Sequence, residues 1–326
     1  MTADRASGQT NDAGRPAMSW AVNFPERAAS WKEPYPLDVA ASVCAREGIR
    51  AIEINYSILE ALEPGQLQAA VQILACVGVR ILSMHSPFNE PCSLEHPERG
   101  KRLAAVDRTI RCLRVCGESR IGRLVIHPSN RTSNDPKVIR DNLCRSIEQL
   151  LPAAQETGVI LCLENMLPYH AFGSAPQDVA GVVEQFADPH LRAVFDSGHA
   201  HGTGAVLEVF EAMRPYIAHT HLHDNNGDRD LHLPPGYGTL PWPSLMPRLL
   251  ELQLDAPLFV EAPPWSHYTD FARLRLEMTA LANACLGAGR FPSLRRPGEG
   301  DDWQLRRDPT TGRLIVFDEQ GRVVQD

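Results

Sequence analysis

Six apolar runs end in side chains that could bind a metal ion: Met84-His85-Ser86-Pro87, Val125-Ile126-His127-Pro128, Leu163-Glu164-Asn165, Phe195-Asp196-Ser197-Gly198-His199, His221-Leu222-His223-Asp224 and Phe259-Val260-Glu261. A seventh piece, Asp230-Leu231-His232, follows the fifth after a short polar stretch. Imidazole and carboxylate donors with no cysteine among them suit a catalytic metal centre rather than a closed structural site. Each residue alone has a plainer explanation. A salt bridge would satisfy Glu164 or Glu261 at the end of a buried strand, and Asp196 could cap a helix ahead of a packed His199. Those explanations weaken as equivalent positions accumulate.

His219, His221 and His223 alternate and therefore share one strand face. Three imidazoles in a row cannot hold one ion. His221, level with the other strand-end donors, is expected to bind, with His219 a hydrogen-bonded interior residue and His223 either behind the ligands or at the mouth. Asp230 and His232 lie on one side of an extended segment, ahead of the Pro235-Gly236-Tyr237-Gly238 loop, whose glycines allow a tight turn near a ligand. His170, His201 and His267 are expected to be solvated loop residues, and His96 and His190 surface residues.

Strand-end donors need strands to carry them. Candidate strands are 20–24, 51–55, 79–85, 123–127, 159–164, 192–196, 217–223 and 258–261. Amphipathic stretches at 37–47, 64–76, 95–116, 136–157, 176–186, 205–213, 243–252 and 268–286 alternate with them. Asp135-Pro136 and Ala175-Pro176 read as helix starts, and Gly48, Gly78, Gly122 and Gly158 as helix ends before strands. Eight strand–helix pairs predict a (β/α)8 TIM barrel over 18–289, with the site at the C-terminal ends of its strands. Successive donors stand roughly 25 to 40 residues apart, the length of one such unit. The small polar residues 1–17 are expected to be disordered. Residues 290–326 are expected to form a linker and a C-terminal β-hairpin around Asp308-Pro309-Thr310-Thr311-Gly312.

The chain of 326 residues carries a formal charge of −8 and is 43% hydrophobic. An acidic balance disfavours nucleic acid as a partner, which a basic surface would attract. Eight cysteines without a Cys-x-x-Cys pair read as reduced thiols of a cytoplasmic protein, and no apolar run reaches the roughly 18 residues of a membrane span. A homo-oligomer is compatible with the sequence.

These residues and their order resemble the xylose isomerase-like TIM-barrel superfamily, which holds sugar isomerases and epimerases together with endonuclease IV-like phosphodiesterases. The resemblance covers about 18–286 and implies two site architectures. In the isomerase branch, Glu164, Asp196, His221 and Glu261 would hold one divalent ion. In the endonuclease IV-like branch, up to three Zn2+ (or Mn2+) ions would use all nine positions. His85 and His127 would share Glu164 with the Glu164–Asp196–His221–Glu261 set, and His199, Asp230 and His232 would hold a third ion. Asp-x-His stands here where epimerases of the superfamily typically carry an arginine, and this favours the multinuclear form. The leading expectation is therefore a metal-dependent hydrolase acting on a phosphoester of a small phosphorylated or nucleotide-like metabolite, with Glu164, Glu261 and His199 catalytic. The alternative is a sugar or sugar-phosphate isomerase, epimerase or related lyase using Glu164 and Glu261 as acid and base around one metal. A start that lacks the endonuclease-type histidine, and Gly48-Ile49-Arg50-Ala51-Ile52-Glu53-Ile54, lean toward the sugar branch.

Overall fold

A computed structural model of the protein describes residues 21–23, 51–56, 66–88, 92–262, 281, 304–307, 314–317 and 323–325. The expected disordered start, the helix at 37–47, nearly all of that at 268–286, His267 and the linker at 290–303 lie outside these residues. Eight strands form one parallel sheet: β1 (Ala21–Asn23), β2 (Ala51–Asn55), β3 (Arg80–His85), β4 (Arg123–Ile126), β5 (Ile160–Glu164), β6 (Leu191–Asp196), β7 (Ile217–His221) and β8 (Phe259–Val260). Their order is β7-β6-β5-β4-β3-β2-β1-β8. A parallel bridge between Leu222 and Val260 joins the two ends, so the sheet closes on itself. The expected TIM barrel is what the chain builds.

Helices cover the outside: α1 (Gln66–Cys76), α2 (Arg99–Glu118), α3 (Pro136–Thr157), α4 (Pro176–Phe186), α5 (Ser197–Gly202), α6 (Val206–Met213) and α7 (Trp242–Leu250). The boundaries of α3 follow from its caps. Asp135 accepts from the backbone N–H of Lys137 (2.9 Å) and Val138 (3.3 Å), Pro136 opens the first turn, and Gly158 closes the helix at φ 70°. The short α5 was not expected from the sequence as a separate helix. Alternation along the strands sorts the side chains. Ile52 and Ile54 face the helices, and Ala51, Leu82 and Phe259 pack inside the barrel. Val125, Cys162 and Val194 form a second inner cluster. The β2–β3 register slips between Ile52↔Ile81 and Glu53↔Ser83, and the β6–β7 register between Ala193↔Ile217 and Val194↔His219. Each bulge adds a residue on one strand, which keeps Ser83 and His85, and likewise His219 and His221, pointing inward.

The C-terminal residues form a separate antiparallel sheet, β9 (Gln304–Arg307), β10 (Leu314–Phe317) and β11 (Val323–Gln325). The expected hairpin is β9–β10, and a third strand extends it. Among the described residues no helix is long and apolar enough to cross a membrane.

Candidate metal centre

All nine expected donors meet at the C-terminal mouth of the barrel. One oxygen or nitrogen from each of Glu164, Asp196, His221 and Glu261 lies within 4.8 Å of every other, and all four residues are buried. His221 Nδ1 stands 2.9 Å from Glu164 Oε1 and 3.0 Å from Glu261 Oε2. On one side, His85 Nε2 and His127 Nε2 approach Glu164 Oε2 at 3.5 and 3.2 Å. On the other, Asp230 Oδ2 lies 3.5 Å from His199 Nε2 and 3.1 Å from His232 Nε2.

Backbone carbonyls decide which imidazole nitrogen is free, because a carbonyl only accepts. Nδ1 of His85 donates to Ser86 O (2.8 Å), Nδ1 of His199 to Asn165 O (2.8 Å) and Nδ1 of His232 to Glu261 O (2.9 Å). Each Nε2 is thereby turned toward a carboxylate. His232 reaches its place with φ at 46°, a left-handed conformation uncommon for a residue with a Cβ.

Two residues go beyond the expected set. His223, expected either behind the ligands or at the mouth, is fully buried behind Asp196, with Nε2 3.1 Å from Asp196 Oδ1 and its ring stacked on His232 at 4.2 Å. It fits because residue 198 is glycine: a Cβ there would stand 2.0 Å from His223 Cε1. Glu53 was not singled out from the sequence. It is fully buried beneath the site, within 3.3 Å of His221 Nε2. The readable signal was a lone acid on the inward face of an apolar strand, Ala51-Ile52-Glu53-Ile54. His219 is the interior hydrogen-bonded residue expected. His96 and His170 are buried rather than surface or solvated, and His170 lines the cavity over the site.

Burial pushes the Glu164 carboxyl up, but His221, His127 and His85 outweigh it and hold the group well below the usual carboxylate range. The same contest leaves Glu261 at about 2, with His221 the main partner. Burial lowers His221 and His199, yet the surrounding carboxylates raise both well above the usual imidazole value. His232 rises to about 10, burial being overcome by Asp230. His85 and His127 face the same oxygen and part ways: Glu164 prevails at His85, and desolvation prevails at His127. His170, buried near His127, His199 and Arg131, falls to about 4 and stays neutral.

The residues fit a bound cation on their own geometry. Three buried carboxylates converge, Glu164 Oε2 meets the His127 and His85 imidazoles at 3.2 and 3.5 Å, and Asp230 Oδ1 is buried without a hydrogen-bond partner. Leaving such groups without a counter-charge is costly. Oxygen donors with one imidazole suit Mg2+, Mn2+ or Zn2+. A cavity of about 470 Å3 opens above, lined by polar groups and by Phe88 and Tyr169. At its rim, Arg131 stacks over Tyr169 at 5.4 Å.

Comparison with known proteins bears on the family and the fold. A family model described as xylose isomerase-like TIM barrel matches residues 41–277. An uncharacterized protein of Methanocaldococcus jannaschii is 26% identical over 239 residues, 70% of this chain and 80% of its own length. Fructoselysine 3-epimerase of Escherichia coli O157:H7 is 26% identical over 118 residues, 36% of this chain and 43% of that protein. A crystal structure of a D-tagatose 3-epimerase-like protein superposes with a TM-score of 0.65 over 82% of this chain and 97% of the other, at 22% identity, a likeness of fold. With the family model spanning more than half of its length, the chain belongs to the xylose isomerase-like TIM-barrel family.

Proposed function

We propose that the protein is a divalent-metal-dependent isomerase or epimerase of a sugar or sugar derivative. This reverses the order of the two expectations drawn from the sequence, where phosphoester hydrolysis came first. The carrying observation is the pair Glu164 and Glu261, whose oxygens flank His221 Nδ1 at 2.9 and 3.0 Å beneath an open polar cavity. The sugar epimerases among its relatives and structural neighbours support the same reading.

Glu164, Asp196, His221 and Glu261 would hold the ion. Bound there, a divalent cation supplies positive charge against substrate oxygens and makes a neighbouring C–H more acidic. Glu164 and Glu261 would exchange a proton with one substrate carbon, one acting as the carboxylate base and the other as the acid. One takes the proton from the carbon beside a carbonyl, whose C–H electron pair passes into an enediolate. Its counterpart, protonated from the solvent-open cavity, returns a proton to carbon. His199 and His232, fixed through Nδ1 by backbone carbonyls, direct Nε2 at Asp230 and can hold substrate hydroxyls at the rim.

The test is deuterium wash-in. Ketohexoses and their phosphates, incubated with the Mn2+-loaded enzyme in D2O, are expected to gain deuterium at the carbon beside the carbonyl, read by NMR. Glu164→Gln and Glu261→Gln should each lower the rate by about 100-fold or more, the scale of a lost acid or base. Phosphate release from the phosphorylated sugars without wash-in into any sugar would overturn the proposal. That outcome would restore the phosphoester reading, which the convergence of His85, His127, His199, Asp230 and His232 on the same carboxylates favours. Metal analysis separates the two independently, with one ion per chain for the first and two or three for the second.

A further inference from the structure

Beneath the donor ring lies a closed polar cluster that takes no part in the proton transfer. Glu53 on β2, Ser83 on β3, and His219 and His221 on β7 are each buried to within 1% of complete. Ser83 Oγ donates to Glu53 Oε2 at 2.6 Å, and His219 Nε2 lies 3.1 Å from the same oxygen. His221 Nε2 lies 3.3 Å from Oε1 and 3.4 Å from Oε2. Oε1 has no hydrogen-bond partner of its own. Two strands, β3 and β7, therefore aim donors at one carboxylate on β2, and the β2–β3 bulge is what turns Ser83 inward to join them.

An imidazole can ligate an ion through only one nitrogen while the other carries a proton, and the group facing that proton sets the ring's tautomer and angle. At His85, His199 and His232 a backbone carbonyl takes the proton on Nδ1 and frees Nε2. His221 is turned the other way: its Nδ1 faces Glu164 and Glu261, so Nε2 needs an acceptor below it. The geometry points to Glu53 as the positioning residue of the metal centre, accepting the Nε2 proton of His221 and so presenting Nδ1 to the cation. Ser83 and His219 hold that carboxylate in place. The assignment rests on the four-residue ion set and not on which reaction the site performs.

Two space-filling variants isolate the acceptor. Glu53→Leu fills the volume and removes both oxygens, whereas Glu53→Gln keeps one. Titration of apo-enzyme with Co2+, followed by calorimetry, is expected to show binding about 10- to 100-fold weaker in E53L, the range typical for loss of a partner behind a ligating histidine. E53Q should recover most of the loss. Equal, wild-type affinity in E53L, or equal weakening in E53L and E53Q, overturns the inference and leaves the ion set standing. Absence of Co2+ binding to wild type overturns the ion set and this inference with it. Wild-type protein alone gives a second reading: long-range 15N–1H correlation of the Zn2+-loaded enzyme is expected to show His221 protonated at Nε2. Protonation at Nδ1 would overturn the assignment even if no variant folds.

Discussion

Asn165 is not among the candidate ligands, yet it sets the height of the centre. β5 ends at Glu164, and the Asn165 side chain then behaves as one more rung of the ladder to β6. Its Nδ2 donates to Asp196 O at 2.9 Å, and its Oδ1 accepts from Asp196 N at 2.8 Å. The backbone carbonyl of Asn165 meanwhile takes the Nδ1 proton of His199. One amide thus ties Glu164, Asp196 and His199 into a single layer. Asn165→Ala would leave a buried N–H and a buried C=O of Asp196 unpaired, at a cost of about 1–3 kcal/mol each where no water replaces them. Urea denaturation is expected to show the loss, and cation titration a weaker site. Unchanged stability together with unchanged affinity would show that the rung is dispensable.

Between residue and barrel, two short elements shape the rim. α5 starts at Asp196, whose Oδ1 accepts from His199 N at 2.6 Å, so the cap of the helix is itself a donor of the site. Chain 224–233 closes through the Asp224–Leu233 bridge, and Asp224 also anchors the glycine loop and the start of α7. Its oxygens accept from Gly236 N, Leu240 N and Trp242 Nε1 at 2.9, 3.1 and 2.8 Å. These two elements pinch His223 between Gly198 and His232. Gly198→Ala would drive a methyl into that ring, and overpacking of this kind costs about 1–3 kcal/mol. Removing the ring should relieve it. Gly198→Ala combined with His223→Ala is therefore expected to be more stable than the sum of the single changes by about 1 kcal/mol or more, measured as a double-mutant cycle in urea. Strict additivity would mean that the helix shifts instead of clashing. The sequence made the donors of these elements legible but not their packing. Asp135-Pro136 and Gly158 mark α3 to the residue because caps are local chemistry. The burial of His223 depends on a glycine 25 positions earlier and a loop that folds back over it, and no local pattern carries that information. Glu53 is hidden for the same reason. Its partners sit on β3 and β7, brought beside it by closure of the sheet and by bulges that break the simple alternation.

For the whole molecule, the cost of the centre is electrostatic. Alternating strands and helices made the barrel legible, because period two and period 3.6 are written in every unit. That closure gathers Glu53, Glu164, Asp196 and Glu261, all buried, into one end of one domain. Without a cation, the imidazoles beside them, among the described residues, offset that charge, and burial penalises the charged form of His221 and His199 as they do so. Folding and ion binding are consequently linked. An ion that binds the native barrel and not the unfolded chain stabilises it by about 2.7 kcal/mol at 100 times its dissociation constant. Chelator-treated protein is expected to melt lower than protein in excess Mn2+, and the difference should grow with the logarithm of ion concentration. Asp196→Asn should abolish that dependence, since it removes a donor charge from the ring, while Asn226→Ala on the rim loop should keep it. A melting temperature indifferent to Mn2+ in the wild type would mean that the imidazoles alone balance the carboxylates and that the ring of donors is a hydrogen-bonded core.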